Sequence, residues 1–355
     1  MLTPVPALRA LRAYEAPRSE YPIDLKLDGN EGPPPPAAML RLLSEAPPEI
    51  LRGYPRAAAL EAALAEAWGL PAGGALITAG GDEALDRLCR AYLAPGREVI
   101  LPEPAFEMSR HYALLAGATL VSPSWTEAGY PAAEARERIG EATALVVVTS
   151  PNNPTGGVID RAGLEGLLEA AAARDALLLL DAAYAEFADE DLTALALSRP
   201  GGLVLRTFSK AWGLAGLRVG CLLGAPEVLA PLRAAGGPFP VSGLSLWLVE
   251  QLLASPAQRE LRERFIARVR EERARLEEAL RSLGARPWPS QGNFVLARVR
   301  DAGGLREALA RQGIAVRAFP GRASLEDAVR IALPGDEAAF ERLLSSLSIC
   351  QEVIA

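Results

Sequence analysis

Histidine and cysteine are both scarce in this chain of 355 residues. The single histidine, His111, argues against a serine–histidine–aspartate triad and against a metal site made of several histidines. The three cysteines, Cys89, Cys221 and Cys350, are too few and too scattered for a disulfide framework or a zinc cluster. We therefore expect no bound metal and a reducing compartment, the cytoplasm.

Long apolar runs and an excess of positive charge are also missing. No apolar stretch approaches the roughly 20 residues that span a bilayer, and the N-terminal stretch lacks the apolar segment of a secretory signal. The net charge is −7, which argues against a general nucleic-acid-binding surface. We therefore expect neither a membrane nor a nucleic acid as a partner.

Lysine is the third scarce residue type. Lysine and arginine together number 37, and only Lys26 and Lys210 are lysines. Arginine stays protonated in proteins, whereas lysine can lose its proton and act as a nucleophile. A lysine retained against this background is therefore a candidate reactive amine. The alternative explanation is codon bias, with two lysines left on the surface.

Short apolar runs alternate with helical patterns between residues 75 and 225. The predicted strands are residues 75–79, 98–101, 119–122, 144–149, 177–181, 203–208 and 219–223. These runs lack regular alternation, which is typical of strands covered on both faces. Helices fit between most of them, for example over residues 82–92 and 161–174. The order predicts an α/β fold, a three-layer domain with a mostly parallel sheet between helices.

The pattern changes after Pro240. A long amphipathic helix is predicted over residues 259–283. Predicted strands at 293–299, 315–318 and 328–333 alternate with or precede helices at 304–312 and 336–347. We therefore predict a smaller α+β domain over 241–355, a large domain over 46–240, and an N-terminal arm over 1–45 that packs with the small domain.

Four polar segments follow predicted strands. They are residues 79–83 (AGGDE), residues 150–156 (SPNNPTG), Asp181, and residues 207–220 (TFSKAWGLAGLRVG) around Lys210. Ligands bind beyond the carboxyl ends of strands in open α/β sheets, and the N–H groups at a helix start can hold a phosphate. Plain turns and helix caps would also explain the first three segments. Lys210 is the strongest of these signals, because it lies in an apolar, glycine-rich setting.

Taken together, these segments resemble the fold type I pyridoxal-phosphate enzymes of the aspartate aminotransferase superfamily, and most of all the histidinol-phosphate aminotransferase family. The resemblance runs from about residue 25 to residue 333. It includes, in the family's order, LDGNEGP, RGYP, GGDEAL, PEPAF, LLLDAAYAEF, GNFVLARV and VRIAL. It implies the fold type I architecture, pyridoxal 5′-phosphate as cofactor, and a homodimer.

The resemblance also implies roles around the cofactor ring. Lys210 would form a Schiff base with the cofactor and then carry a 1,3-proton shift. Asp181 would pair with the ring nitrogen, and Asn153 and Tyr184 would bind the ring's phenolic oxygen. Phe106 would stack on the ring face, although simple core packing would also explain it.

For the cofactor phosphate, the resemblance implies one group of ligands and one residue from a partner subunit. The ligands in the same chain would be Gly81, Asp82, Thr207, Ser209 and Arg218. Tyr54 would reach the phosphate across the dimer interface.

For the substrate, the resemblance implies Arg330 as the main anion-binding residue, since a guanidinium can hold a carboxylate or phosphate through two hydrogen bonds. Arg317 lies on a neighbouring predicted strand and would help, together with Tyr14 and Asn30.

The implied activity is a histidinol-phosphate:2-oxoglutarate aminotransferase of histidine biosynthesis. Departures from the family pattern, such as Ala182 directly after Asp181, leave two alternatives open. One is an aminotransferase for aromatic or other amino acids, and the other is a threonine-phosphate-type decarboxylase of the same fold. A cofactor-sensing regulator or an inactive binding protein is disfavoured by the acidic charge and by the intact pair of Lys210 and Asp181.

Overall fold

The structure is a computed structural model that describes residues 3, 6–9, 11, 13, 19–32, 34–35, 37–127 and 129–355. The strands of this part are β1 Leu25–Lys26, β2 Ala75–Thr78, β3 Glu98–Ile100, β4 Thr119–Val121, β5 Thr143–Thr149, β6 Leu177–Asp181, β7 Gly202–Thr207, β8 Gly220–Gly224, β9 Arg286–Pro287, β10 Phe294–Arg298, β11 Ile314–Ala315, β12 Arg317–Ala318 and β13 Ala328–Ala332.

The α-helices of the same residues separate most of these strands. They are α1 Ala37–Leu42, α2 Glu49–Arg52, α3 Ala58–Ala67, α4 Gly80–Tyr92, α5 Glu107–Leu115, α6 Ala132–Glu137, α7 Arg161–Ala172, α8 Thr193–Ala196, α9 Pro226–Ala235, α10 Gly243–Ala254, α11 Pro256–Ser282, α12 Ala302–Arg311, α13 Glu337–Ile349 and α14 Gln351–Ile354. Among the described residues, none of these helices is both long enough and apolar enough to cross a membrane.

Five of the helices begin at a polar side chain that accepts a hydrogen bond from the first turn. Asp160 caps α7, Ser242 caps α10, Ser255 caps α11, Asp301 caps α12 and Asp336 caps α13. Each cap contributes about 1 kcal/mol by satisfying a backbone N–H that has no partner within the helix. These caps explain why the helices start where they do.

The largest sheet has seven strands in the order β2-β8-β7-β6-β5-β3-β4. Neighbours from β7 through β4 are parallel, and β8 runs antiparallel to both β2 and β7. Alternate side chains of one strand pack on opposite faces of the sheet. In β5, Val146 and Val148 belong to one apolar cluster, and Leu145 and Val147 belong to another. The sheet is therefore covered by helices on both faces, and the predicted three-layer α/β class is confirmed.

The parallel order brings the carboxyl ends of β5, β6 and β7 to one edge. Thr149 at the end of β5 pairs with Asp181 at the end of β6, and β7 ends beside them at Thr207. Three of the four polar segments predicted from the sequence lie at these strand ends, and the fourth, residues 79–83, follows β2.

A second sheet, in the order β12-β13-β10-β9, is antiparallel throughout. Its apolar residues join those of α11, α12 and α13 in a separate cluster that includes Val269, Phe294, Leu309 and Phe340. The short strand β1 pairs in parallel with β11, with Leu25 opposite Ile314. The segment around residue 25 is thus tied to the C-terminal part of the molecule.

Two of the departures from the predicted elements have a clear cause in the structure. The strand predicted over 315–318 is two strands, because the chain changes partner at Val316: β11 pairs with β1, whereas β12 pairs with β13. Helix α11 begins at Pro256 rather than at residue 259, because Ser255 caps it and proline suits the first helical position. The domain boundaries stay a prediction.

Candidate active site

A cavity of about 1150 Å³ lies between the carboxyl ends of β5–β7 and the β11–β13 side of the molecule. Most of the residues predicted for the site line it. They are Asn30, Gly81, Asp82, Phe106, Asn153, Asp181, Tyr184, Thr207, Ser209, Lys210, Arg218, Arg317 and Arg330. The structure thus gathers residues that are as far apart in sequence as 30 and 330.

Two further residues were predicted for the site. Tyr14 lies outside the described residues. Tyr54 is 80% exposed, and its ring stacks on Phe239 with 4.7 Å between the centroids. Its predicted contact across a dimer interface stays a prediction.

Lys210 follows β7 and turns its amine into the cavity. The Nζ atom donates to the backbone oxygen of Gly29 at 3.2 Å and lies 5.6 Å from the ring centroid of Tyr184. The neighbours Phe208 and Ala211 are buried in the apolar clusters. The chain on both sides of Lys210 is therefore packed in the apolar core, while its Nζ atom is open to the cavity.

Asp181 is the last residue of β6 and is only 5% exposed. Burial raises the pKa of its carboxyl to about 6, and the charge of Asp82 adds to the increase, while the Ala183 N–H and the charge of Lys210 act in the opposite direction. Its Oδ1 accepts a hydrogen bond from the Ala183 N–H at 3.2 Å. A buried carboxylate that faces a cavity would be stabilised by a cationic group on a ligand.

Arg330 of β13 joins the two sides of the cavity. Its guanidinium donates to Asn153 Oδ1 at 2.6 Å and to the backbone oxygen of Asp28. Arg317 of β12 lies directly opposite Arg330 in the strand register. The pair forms a positively charged wall on the side of the cavity that faces the turn at residue 153.

A cradle of hydroxyl, backbone and guanidinium groups lies where α4 begins. Thr207 Oγ1 and Ser209 Oγ lie 2.9 Å apart. Arg218 has a left-handed backbone, with φ of +52°, and its guanidinium contacts Asp82 at 3.2 Å. Gly80 has φ of +75°, and a Cβ there would lie 2.5 Å from Arg218 Nη2. Only glycine therefore allows this arginine to approach the helix start, where N–H groups attract anions.

Several further residues line the cavity that sequence reasoning did not assign to it. They are Tyr21, Lys26, Glu31, Glu107, Met108, Tyr112, Arg306 and Arg322. Glu107 and Arg322 form an ion pair of 2.9 Å between α5 and the loop after β12. The scarcity of lysine pointed to Lys26 as well as Lys210, but no motif indicated that both would lie on one cavity.

Residues 24–347 match the family described as aminotransferase class I and II. The match includes every described residue that lines the cavity from Lys26 onward.

Among curated proteins, the histidinol-phosphate aminotransferase of Xanthomonas euvesicatoria is 38% identical over 363 residues, which covers 98% of this chain and 96% of that protein. The histidinol-phosphate aminotransferase of Symbiobacterium thermophilum is 38% identical over 315 residues. This match covers 86% of this chain and 85% of that protein.

Among solved structures, the histidinol-phosphate aminotransferase of Sinorhizobium meliloti in complex with pyridoxal-5′-phosphate has a TM-score of 0.84 at 23% identity, covering 98% of this chain and 97% of that one. Thermus thermophilus aspartate aminotransferase, as a tetra mutant, has a TM-score of 0.78 at 24% identity, covering 98% and 99%. At these identities the likeness establishes the fold, which is that of fold type I.

Proposed function

Since the chain belongs to the class I and II aminotransferase family, we propose that it interconverts histidinol phosphate and imidazole acetol phosphate, with glutamate and 2-oxoglutarate as the partner substrates. The proposed cofactor is pyridoxal 5′-phosphate. The substrate assignment follows the curated relatives, which are named histidinol-phosphate aminotransferase. Their matches cover 98% and 86% of this chain.

The observation that carries the proposal is the convergence of Lys210 and Asp181 on one cavity from neighbouring strands. A lysine that can release its proton and a buried carboxylate that favours a cationic partner are the two groups that this chemistry needs.

The residues present fit pyridoxal phosphate. The hydroxyls of Thr207 and Ser209, the guanidinium of Arg218 and the start of α4 at Gly81 would hold the phosphate, because they combine donors with positive charge. The pyridine nitrogen would face Asp181, whose pKa is raised by burial and falls when a cation approaches. When bound, the cofactor supplies an electron-withdrawing ring that stabilises negative charge on the substrate carbon.

Each side chain around the ring has its own proposed role. Asp181 keeps positive charge on the ring nitrogen. Lys210 would bind the cofactor through its Nζ atom, and its amine would hold the proton that the reaction moves. Tyr184 and Asn153 would form hydrogen bonds with the ring oxygen, and Phe106 would cover one ring face.

Arg330 and Arg317 bind the anionic group of the substrate, helped by Asn30 and Tyr14. A guanidinium can hold a carboxylate and a phosphate with the same pair of donors. The two arginines can therefore serve both glutamate and histidinol phosphate.

We further propose a homodimer in which Tyr54 completes the cofactor site of the partner. The exposed and stacked rings of Tyr54 and Phe239, with Leu51 at 77% exposure nearby in sequence, are apolar surface of the kind that a partner covers. The proposed division into an arm, a large domain and a small domain keeps the boundaries 1–45, 46–240 and 241–355. The three cysteines are buried free thiols, which suits the proposed cytoplasmic location.

The experiment is a single half-reaction. Protein loaded with pyridoxal phosphate is mixed with histidinol phosphate, and the visible absorption band is followed. Loss of the band, with formation of imidazole acetol phosphate, is the expected result. Loss of the band with phenylalanine or tyrosine alone would instead favour an aromatic aminotransferase, and release of carbon dioxide would favour a decarboxylase.

A further inference from the structure

Asn293 lies directly before β10 and contacts the segment that carries Asn30. Its Nδ2 donates to the backbone oxygen of Asn30 at 3.3 Å, and its own backbone oxygen accepts from the Leu333 N–H at 2.9 Å. Asn293 is fully buried and does not line the cavity. Its hydrogen bond to Asn30, which does line the cavity, connects it to the site.

Asn30 has a left-handed backbone, with φ of +54°. In the described part of the chain, the other non-glycine residues with positive φ are Asp175 and Arg218. Asparagine adopts this conformation more readily than most residues with a Cβ, and the surrounding hydrogen bonds hold it in place. The hydrogen bond from Asn293 holds the carbonyl oxygen of the Asn30 peptide group.

The side chain of Asn30 transmits this orientation to the cavity. Its Nδ2 donates to the hydroxyl of Tyr184 at 3.2 Å. A hydroxyl that accepts from an amide keeps its own proton for another acceptor, and the accepted bond makes it a stronger donor. Tyr184 lines the cavity beside Lys210, so its proton is directed at whatever the cavity holds.

The burial of the two asparagines indicates that they are retained for orientation. Asn30 and Asn293 are at most 1% exposed, and the Oδ1 atoms of both are buried without a hydrogen-bond partner among the described residues. Buried amides that are only half satisfied destabilise a fold relative to apolar side chains. Stability alone would not select this pair.

We propose that Asn293 is a positioning residue for transamination: it fixes the left-handed backbone of Asn30, and Asn30 presents the Tyr184 hydroxyl as a donor to the ring oxygen of the cofactor. The inference rests on the proposed function, because it requires pyridoxal phosphate in the cavity. Asn293 itself touches neither cofactor nor substrate.

The test uses the holoenzyme and the pH titration of its visible absorption band, with kcat and KM for histidinol phosphate. Tyr184→Phe should move the titration midpoint, because it removes the donor to the ring oxygen. Asn293→Ala should move the midpoint in the same direction and lower kcat about tenfold, the effect of one misplaced hydrogen bond. In the Tyr184→Phe background, Asn293→Ala should have no further effect on either quantity.

Two more variants make the result decisive. Asn30→Gly tolerates positive φ but lacks the amide, so it should reproduce Asn293→Ala and tests the same link if Asn293→Ala does not fold. Ser290→Ala removes two buried hydrogen bonds of the same turn, one to the Phe294 carbonyl at 2.6 Å and one from the Gly292 N–H at 3.1 Å, but none to Asn30. It should leave the titration unchanged.

The possible failures are distinguishable. Wild-type protein that forms no visible band with pyridoxal phosphate would refute the proposed function. A normal wild-type band, together with an unchanged midpoint and kcat in Asn293→Ala, would refute only the positioning role. Equal losses in the wild-type and Tyr184→Phe backgrounds would also overturn it, because they would show that Asn293 acts on general stability.

Discussion

Arg317 and Arg330 lie directly opposite each other on antiparallel strands β12 and β13. Like charges at such a position repel one another and are destabilising without a counter-charge. The Asn153 and Asp28 oxygens offset part of this repulsion at Arg330. In the proposed function, an anionic substrate brings a further counter-charge to this pair.

We predict that the two arginines separate the substrates. Arg330→Lys loses the planar pair of donors and should lower kcat/KM about 10- to 100-fold in both half-reactions. Arg317→Gln should lower kcat/KM more for histidinol phosphate than for glutamate, because the phosphate carries more charge. Stopped-flow measurement of each half-reaction checks this. Equal losses for both substrates in Arg317→Gln would contradict the assignment.

A second prediction concerns the reactive amine. Lys210→Arg keeps the positive charge but cannot release its proton, so turnover should fall by about 10²- to 10⁴-fold or more. Borohydride treatment of wild-type holoenzyme, followed by peptide mass spectrometry, should place the cofactor on Lys210. Lys26→Ala is the matched control, since Lys26 is the only other lysine and lines the same cavity; labelling should persist in it. Label on Lys26 in the wild-type protein would refute the prediction.

A third prediction follows from the buried carboxyl of Asp181. Its pKa is raised from 3.8 to about 6 by burial, so without cofactor the folded state binds more protons than the unfolded state between these pH values. The free energy of unfolding of the apoprotein should therefore fall as the pH rises from about 4 to about 6. Asp181→Asn should remove this loss and stabilise the apoprotein at pH 8 by up to about 3 kcal/mol.

Urea denaturation of apoprotein at pH 4 and pH 8 measures this difference. The same substitution should weaken cofactor binding and lower the transamination rate, since the ring nitrogen loses its partner. If Asp181→Asn apoprotein were less stable than wild type at pH 8, the prediction would be wrong. The charge of Asp181 would then already have a stabilising partner in the apoprotein.

A fourth prediction concerns the phosphate cradle. A Cβ at Gly220 would lie 2.7 Å from the carbonyl carbon of Gly80, whereas a Cβ at Gly216 would meet nothing within 4 Å. Gly220→Ala should push the start of α4 away from Arg218, cost about 1–3 kcal/mol of stability and weaken the affinity for pyridoxal phosphate. Gly216→Ala should leave both the unfolding midpoint and the affinity near wild type. Similar effects from the two substitutions would contradict the close approach seen at Gly80.

The central strands could be predicted because their residues are buried on both faces, so that apolar runs such as 177–181 end at the first polar group. The pairing of Leu25 with Ile314 could not, because a two-residue strand has no periodicity and its partner is distant in sequence. The split at Val316 was missed for the same reason, since a change of partner leaves no local signal.

The residues that line the cavity at the strand ends could be predicted, because they belong to the motifs that carry the family resemblance. Asn293 was missed, although it lies in the quoted segment GNFVLARV, because its contact with Asn30 depends on two distant segments meeting. Lys26 was noticed only as a rare residue type, and its place on the cavity depends on the same long-range pairing of β1.

Strand β6 is the middle strand of the seven, and β7 is its neighbour. Backbone hydrogen bonds between β6 and β7 therefore hold the strand end that carries Asp181 beside the strand that leads into Lys210. The arginine wall belongs to another sheet, so substitutions there can alter what the cavity accepts while the acid and the amine keep their separation. Directed evolution toward new amino donors should accordingly accumulate changes on β11 to β13 and in the arm, and spare the ends of β6 and β7.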